Sequence, residues 1–170
     1  MTKMNVDEKA ASESLELRVQ LSTLLDGGQA HATFEQAVEG FPAELRGVVP
    51  KGLPYSAWQL LEHIRIAQAD ILEFSAPPTG GYQEKPWPSA YWPKDPEPPT
   101  ADAWDRSVAA VEADLKKFKA LITKEGADLA KPFRWGTGQN LLREALLIAD
   151  HNAYHVGELV MVRRLLGAWK

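Results

Sequence analysis

The segment NLLREALLIADHNAYHVGELVMVRRLL, residues 140–166, decides the predicted fold of this chain. Its apolar residues recur at helical spacing, and they occupy more than one face of the helix that this spacing predicts. These residues are Leu142, Ala145, Leu146, Ala149, Ala153, Val156 and Val160. Gly167 follows the segment, as glycine often does just past a helix C-terminus. Because a helix that is apolar on several sides is typical of the interior of a bundle, we expect a central helix here.

Three other segments of the chain have the same helical periodicity. They cover residues 12–39, 56–76 and 100–125. Ser56 and Gln59 fit a capping box at the start of the second segment, and Thr100 is a suitable N-cap for the third. Gly27 and Gly28 interrupt the first segment, where we expect a kink or a short break. Since no segment alternates apolar and polar residues as a strand does, the sequence predicts an all-α protein with helix packed on helix.

Length and composition fit one globular domain. The chain has 170 residues, of which 45% are hydrophobic and 25% are charged, both ordinary values for a domain of this size. We expect a flexible N-terminus over residues 1–11 and a single domain over residues 12–170. The chain contains no cysteine, which excludes disulfide frameworks, cysteine-ligated metals and cysteine nucleophiles.

Charge and hydropathy exclude two further classes of partner. The formal net charge of −4 gives no electrostatic footprint for a nucleic acid. No apolar run approaches the length of a membrane span. Residues 1–10 are polar and contain no apolar core of a signal peptide. We therefore expect a cytoplasmic protein that binds neither nucleic acid nor membrane.

Residues 77–99, between the second and third predicted helices, contain eight of the twelve prolines and a group of aromatic side chains. The aromatic residues are Tyr82, Trp87, Tyr91 and Trp92. Because prolines reduce the entropy lost on ordering and aromatic rings supply apolar area, we predict a strap packed on the helices. A mobile insertion is the alternative, and a packed strap would cover the core, roof a site or form a dimer contact. One long connection among four helices predicts a four-helix bundle.

Four histidines carry the chemistry that the sequence suggests. His151 and His155 are separated by one helical turn, so their imidazoles lie on one face and can bind one ion. His63 lies among apolar residues of the second predicted helix, whose inward face can meet that of the fourth. Spacing alone leaves open a three-histidine metal site or core histidines with satisfied ring nitrogens. We interpret His31 as a structural or surface histidine, with a contact to the site or its substrate as the alternative.

Two stretches carry a resemblance to a known family. The stretch SAWQLLEHI, residues 56–64, resembles the second helix of the DinB-like (YfiT-like) family of metalloenzymes. The stretch DHNAYHVGE, residues 150–158, resembles the C-terminal signature of the same family, with a D-H-x-x-x-H-x-G core. The resemblance covers nearly the whole chain. It implies an up-down-down-up four-helix bundle, a divalent metal at one end of its core with ligands His63, His151 and His155, and a homodimer.

One position departs from the family pattern. Many relatives have glutamine where this chain has Glu158. Its carboxylate is interpreted either as a hydrogen-bond partner of a ligand or as the solvated end of the helix. Other carboxylates that could orient a ligand imidazole are Glu35, Glu44 and Glu144.

Three neutral imidazoles would leave a divalent ion with an open position, which favours catalysis or ligand binding over a structural role. Zinc and nickel are the leading candidates, and iron and manganese are further ones. The open position could activate a water molecule or bind a substrate thiol as the thiolate. The second use fits the resemblance, because characterised relatives include transferases that use small cellular thiols and a thiol-dependent isomerase.

Three functional hypotheses follow. The first is a metal-dependent enzyme acting on a small molecule by a thiol-dependent S-transferase-type or hydrolytic reaction, with a low-molecular-weight thiol as the candidate partner. The second is a non-catalytic metal-binding or stress-response module. The third is a haem or di-metal carboxylate protein, which the sequence disfavours because Glu62-His63 and Asp150-His151 lack the Glu-x-x-His spacing of di-iron sites.

Overall fold

The computed structural model describes residues 6–79 and 81–169, and within these ranges it contains helices and no strand. The helices are α1 (Val6–Asp26), α2 (Phe34–Val38), α3 (Ala57–Ser75), α4 (Ala103–Thr123) and α5 (Leu141–Leu165), with a 3-10 turn at Ala43–Leu45. The predicted all-α class is confirmed. No helix in the described ranges combines the length and the apolar character needed to cross a membrane.

The first predicted helix, residues 12–39, is two helices in the structure. α1 ends at Asp26, and Gly27 and Gly28 adopt the left-handed backbone conformation, with φ of 70° and 77°. The helix resumes only at α2, where Thr33 and Gln36 form a capping box. Of the two predicted alternatives, a kink or a short break, the structure has the break, over residues 27–33.

The N-terminal end of α1 differs from the predicted boundary. Helix α1 begins at Val6, so residues 6–11 of the segment predicted to be flexible belong to it. Residues 1–5 lie outside the described residues. The division into a flexible segment 1–11 and a domain 12–170 stays a prediction.

The other helix starts follow local capping chemistry. Ser56 accepts a hydrogen bond from the amide of Gln59, whose side chain bonds back to the Ser56 amide, as predicted. Asn140 caps α5 through the amide of Arg143. Helix α4 starts at Ala103, three residues after the predicted N-cap Thr100.

Helices α3 and α4 run parallel. The Ser107 hydroxyl donates to Glu62 at 2.5 Å, and the Gln68 amide donates to the Val111 carbonyl at 2.7 Å. Residue numbers in the two helices thus rise together along the contact. Because parallel helices need a connection that returns along their length, the long segment between α3 and α4 is a topological requirement.

Helices α3 and α5 run antiparallel. His63 packs its ring against His155, with centroids 4.5 Å apart, while Gln68 accepts a hydrogen bond from Asn152 at 2.8 Å. Residue numbers rise along α3 as they fall along α5. The inward face of α3 therefore meets the middle of α5.

Helices α1 and α4 are also antiparallel, which completes the topology. Arg18 donates to the carbonyl of Ile122 near the end of α4, and Lys119 pairs with Asp26 at the end of α1. The order of α1, α3, α4 and α5 is thus up-down-down-up. The four-helix bundle predicted from the sequence and its resemblance is confirmed.

The core consists of two apolar clusters along the bundle. The first cluster joins α3, α4 and α5 to α2 and includes Trp58, Leu61, Ile64, Trp104 and Leu159. The second lies between α1, α4 and α5 and includes Leu21, Leu25, Phe118, Ile122 and Ile148. Burial of these side chains supplies most of the free energy that holds the helices together.

Arg163 joins the C-terminal part of α5 to α2. Its guanidinium is buried, and Nη1 donates to three carbonyl oxygens at 2.9–3.0 Å, those of Gln36, Ala37 and Glu39. Nε and Nη2 donate to the Ala168 carbonyl at 3.3 and 3.2 Å. The side chain thereby satisfies carbonyl oxygens at the C-terminal end of α2 and just after α5, where the hydrogen bonding of each helix ends.

We expect Arg163→Met to destabilise the protein by roughly 2–4 kcal/mol, because it leaves several buried carbonyl oxygens without donors. The measurement is the free energy of unfolding from urea denaturation. Arg164→Met is the matched control, since Arg164 is exposed and its guanidinium lies over the Trp169 ring. Equal losses in the two variants would contradict this role of Arg163.

Candidate metal centre

The three histidines singled out by the sequence meet between α3 and α5. Their candidate ligand nitrogens all lie within 4.8 Å of one another. The Nε2 atoms of His63 and His151 are 3.1 Å apart, and His155 packs against both rings with centroid distances of 4.5 Å. This group could hold a metal ion. It combines one histidine from α3 with two from adjacent turns of α5.

The orientation of His63 is determined by a backbone carbonyl. His63 Nδ1 lies 2.9 Å from the carbonyl oxygen of Tyr91. Because a carbonyl oxygen only accepts, Nδ1 carries the proton and Nε2 keeps its lone pair. His63 therefore presents an unprotonated nitrogen to the other two histidines.

Glu158 fixes the orientation of His155 as the Tyr91 carbonyl fixes that of His63. Its carboxylate lies 2.7 Å from His155 Nδ1, one turn along α5. The carboxylate accepts the Nδ1 proton, so the lone pair of His155 is also on Nε2. Of the two interpretations of Glu158, the structure favours the hydrogen-bond partner of a ligand. Its carboxylate is on the Nδ1 side of the ring and leaves Nε2 accessible.

A chain of amides orients His151. The fully buried Gln68 donates to the Val111 carbonyl, and its oxygen accepts from Asn152 Nδ2 at 2.8 Å. These bonds direct Asn152 Oδ1 to His151 Nδ1, at a longer distance of 3.4 Å. An oxygen acceptor at this position favours the tautomer of His151 that has its proton on Nδ1 and its lone pair on Nε2.

Burial keeps all three imidazoles uncharged at neutral pH. It lowers the pKa of His63 and His151, although the hydrogen bond to Tyr91 partly offsets the effect on His63. Burial and the neighbouring His63 lower the pKa of His155 to about 4. Three neutral rings with unprotonated Nε2 atoms are the form in which histidine binds a metal.

This arrangement fits a cation better than it fits a satisfied core. Two lone pairs 3.1 Å apart have no proton between them when both Nδ1 atoms are protonated. Nitrogens that share one ion at the usual metal–nitrogen distance of 2.0–2.1 Å lie about 3.0–3.4 Å apart. The residues present therefore fit a divalent metal ion.

Three of the carboxylates suggested as imidazole partners lie elsewhere in the structure. Glu144 is buried and pairs with Arg143, while Glu35 and Glu44 are exposed in α2 and in the 3-10 turn. The partners in the structure are the Tyr91 carbonyl, Asn152 and Glu158. This role is one of the two interpretations of Glu158 from the sequence, and the i, i+3 spacing of Glu158 from His155 agrees with it. A carbonyl from a distant loop leaves no sequence signal.

We name residues 77–99 the strap, and its described residues, 77–79 and 81–99, lie against α3. Side chains of α3 and its N-cap donate to strap carbonyls: Ser56 to Pro96 at 2.6 Å and Gln59 to Pro93 at 3.1 Å. With the bond from His63 to Tyr91, three donors on successive turns meet three strap carbonyls. The strap thus positions the histidine that it covers.

Stacked rings cover one side of the cluster. Trp92 stacks on His63 with centroids 3.8 Å apart and planes within 7°. Tyr55 stacks on the other face of Trp92 at 3.9 Å. These rings exclude water from one face of His63 and hold its imidazole plane in place.

Asp70 anchors the strap further along α3. Its carboxylate is buried and accepts from Tyr91 at 2.6 Å, Tyr82 at 3.1 Å and Lys85 at 2.5 Å. Desolvation and the hydrogen bond to Asp70 both raise the pKa of Tyr91. The strap is therefore tied to α3 at the residue whose carbonyl orients His63.

His31 lies apart from the cluster. It is exposed in the break between α1 and α2, and its Nδ1 contacts the Ala32 carbonyl at 2.8 Å. The structural or surface interpretation is consistent with this position.

The sequence model of the DinB superfamily matches residues 28–159. This range includes α2, α3, α4, most of α5 and all three histidines. The chain belongs to the DinB superfamily. No curated protein and no solved structure matches it. The DinB resemblance noted from residues 56–64 and 150–158 is thus confirmed at the level of the superfamily.

Asp70→Asn tests the anchoring of the strap. We expect faster cleavage within residues 77–99, because the change removes the charge that pairs with Lys85 and weakens the bonds from both tyrosines. Limited proteolysis with chymotrypsin, read by mass spectrometry, measures this rate. Glu84→Gln, an exposed carboxylate of the strap, is the control. Unchanged cleavage in Asp70→Asn would refute the anchoring.

Proposed function

We propose that this DinB-superfamily protein is a divalent-metal-dependent enzyme acting on a small molecule, with His63, His151 and His155 as metal ligands. The convergence of one ring nitrogen from each of the three histidines carries this proposal, and the Nε2 atoms of His63 and His151 lie 3.1 Å apart. Among the described residues, no other His, Asp or Glu joins the group. Three protein ligands leave an ion with an open position, which is typical of catalytic sites, whereas structural zinc sites have four.

Zinc and nickel are the proposed ions, with iron and manganese as further candidates. Imidazole is a ligand for several transition metals, so the ligand set favours this group of ions over calcium or magnesium. No cysteine is present to compete for the ion.

The proposed reaction is a thiol-dependent S-transfer or a hydrolysis. When bound, a divalent ion supplies Lewis acidity and lowers the pKa of a coordinated water or thiol. The chain's own residues would hold that ion through ring nitrogens of the three histidines, while Nδ1 of His63 and of His155 donates to an oxygen acceptor and Trp92 shields one side. The proposal that the substrate carries a thiol rests on the family resemblance. A homodimer and a cytoplasmic location also stay predictions that rest on the sequence.

A second candidate is a metal-binding module without turnover. The observation that favours it is the stack of Trp92 on His63, which covers one side of the cluster. The position of Glu158 favours the enzyme, because its carboxylate lies behind the His155 ring and does not fill the place of a fourth ligand.

Metal content tests the ligand set. Protein purified without a nickel column should contain, or take up, about one equivalent of zinc or nickel by elemental analysis. His63→Ala and His155→Ala should lose it, and the control His31→Ala should keep it. A parent protein that takes up no metal on titration would contradict the proposal.

Turnover separates the two candidate functions. The loaded protein is incubated with a low-molecular-weight thiol and an electrophile, and loss of free thiol is followed; ester and amide substrates test hydrolysis. Thiol or substrate loss that disappears in His155→Ala supports the enzyme. Stoichiometric metal without turnover in any of these assays supports the binding module.

Glu158 should tune the affinity for the ion. We expect Glu158→Ala to weaken zinc binding by about 10–100-fold, the usual effect of losing a carboxylate behind a ligand histidine. Glu158→Gln should cost less, because the amide oxygen still accepts the Nδ1 proton. Competition with a chromogenic chelator measures the affinity, and Asp150→Asn, at an exposed carboxylate next to His151, is the control. Equal effects of Glu158→Ala and Asp150→Asn would refute a specific role for Glu158.

A further inference from the structure

A cavity lies beneath the break between α1 and α2, on a face of α5 other than the one that carries His151 and His155. The chain leaves α1 at Asp26 and rejoins the bundle at α2, so residues 27–33 pass over a gap between α1, α4 and α5. The gap is a cavity of about 280 Å³. None of His63, His151 and His155 lines it.

The cavity is apolar because it lies where the two core clusters meet. Val111 and Val156 belong to the first cluster, Leu25 belongs to the second, and all three line the cavity. The α5 face that closes it carries two alanines, Ala149 and Ala153. Larger residues at these positions would fill the space, so the small side chains leave it open.

The charged side chains around the cavity carry both signs. Lys119 pairs with Asp26 at 2.6 Å, and Glu112 and Lys116 are exposed one turn apart on α4. No charge of one sign dominates the entrance. Because an apolar interior disfavours an unpaired ion, these features select an uncharged ligand.

One polar group of the lining, the His31 imidazole, offers a hydrogen bond. His31 lines the cavity, and since its Nδ1 donates to the Ala32 carbonyl, its Nε2 keeps a lone pair that can accept. Asn152 also lines the cavity, but its carboxamide bonds to Gln68 and His151. A ligand with one hydroxyl or N–H group can therefore be oriented within an otherwise apolar space.

Size limits the ligand. An apolar cavity of about 150 Å³ binds benzene, so the present cavity has room for roughly eleven non-hydrogen atoms at the same filling. We propose that the cavity beneath residues 27–33 binds a small, uncharged, largely apolar molecule that carries a single hydroxyl or N–H group. None of the three histidines lines this site, which borders the metal centre only at Asn152, and the proposal does not depend on the proposed function.

The test uses 2-naphthol as the neutral probe and 2-naphthoate as its charged counterpart. Isothermal titration calorimetry of the full chain should show saturable binding of 2-naphthol and weaker binding of 2-naphthoate. Ala153→Leu fills the cavity from α5 and should abolish binding of 2-naphthol. Ala149→Leu provides a second filling change one turn away. Ala109→Leu, at an exposed alanine of α4, should leave binding intact.

The outcomes separate this site from the metal centre. Binding of 2-naphthol that persists in His155→Ala and is lost in a filled variant with an unchanged circular dichroism spectrum supports the proposal. Absence of saturable binding, or equal binding in the parent and in both filled variants, overturns it. Binding of 2-naphthoate as strong as that of 2-naphthol overturns the assignment of an uncharged ligand.

Discussion

The hydrogen bond between His63 Nδ1 and the Tyr91 carbonyl joins the fold to the chemistry of the site. It places the proton of His63 on the outer nitrogen, and the inner nitrogen is left with a lone pair. It exists only because the strap lies along α3, where Asp70 holds the Tyr91 side chain. The strap in turn is long because α3 and α4 are parallel. The tautomer of one imidazole thus depends on the topology of the whole bundle.

The strap and α3 have complementary hydrogen-bonding groups. Proline lacks an N–H, so a proline-rich segment offers more acceptors than donors. Helix α3 and its N-cap supply the donors, from Ser56, Gln59 and His63, to carbonyls that include those of two prolines. Arg163 donates hydrogen bonds in the same way to the carbonyl oxygens at the end of α2. Side-chain donors facing irregular backbone allow these loops to pack without leaving buried polar groups unsatisfied.

Two faces of helix α5 lie in different environments. One face carries His151 and His155 with their oxygen acceptors, and another carries Ala149 and Ala153 beside the apolar cavity. Asn152 lies between these faces, with Gln68 and His151 as neighbours on one side and the cavity on the other. A helix that is apolar on several sides can be central to the bundle and still hold a polar cluster, provided that each polar atom has a partner.

Periodicity and capping residues determined the helices, their class and the His151–His155 pair, because these depend on contacts within one or two turns. The order of helices and the joining of His63 to that pair also followed from the sequence, through its family resemblance. Only the tertiary structure decided that the interruption at Gly27 and Gly28 is a break and not a kink, that the Tyr91 carbonyl orients His63, and that a cavity lies beneath residues 27–33. These features depend on groups distant in the chain, and local sequence patterns carry no information about which carbonyl or side chain the packed helices bring into reach.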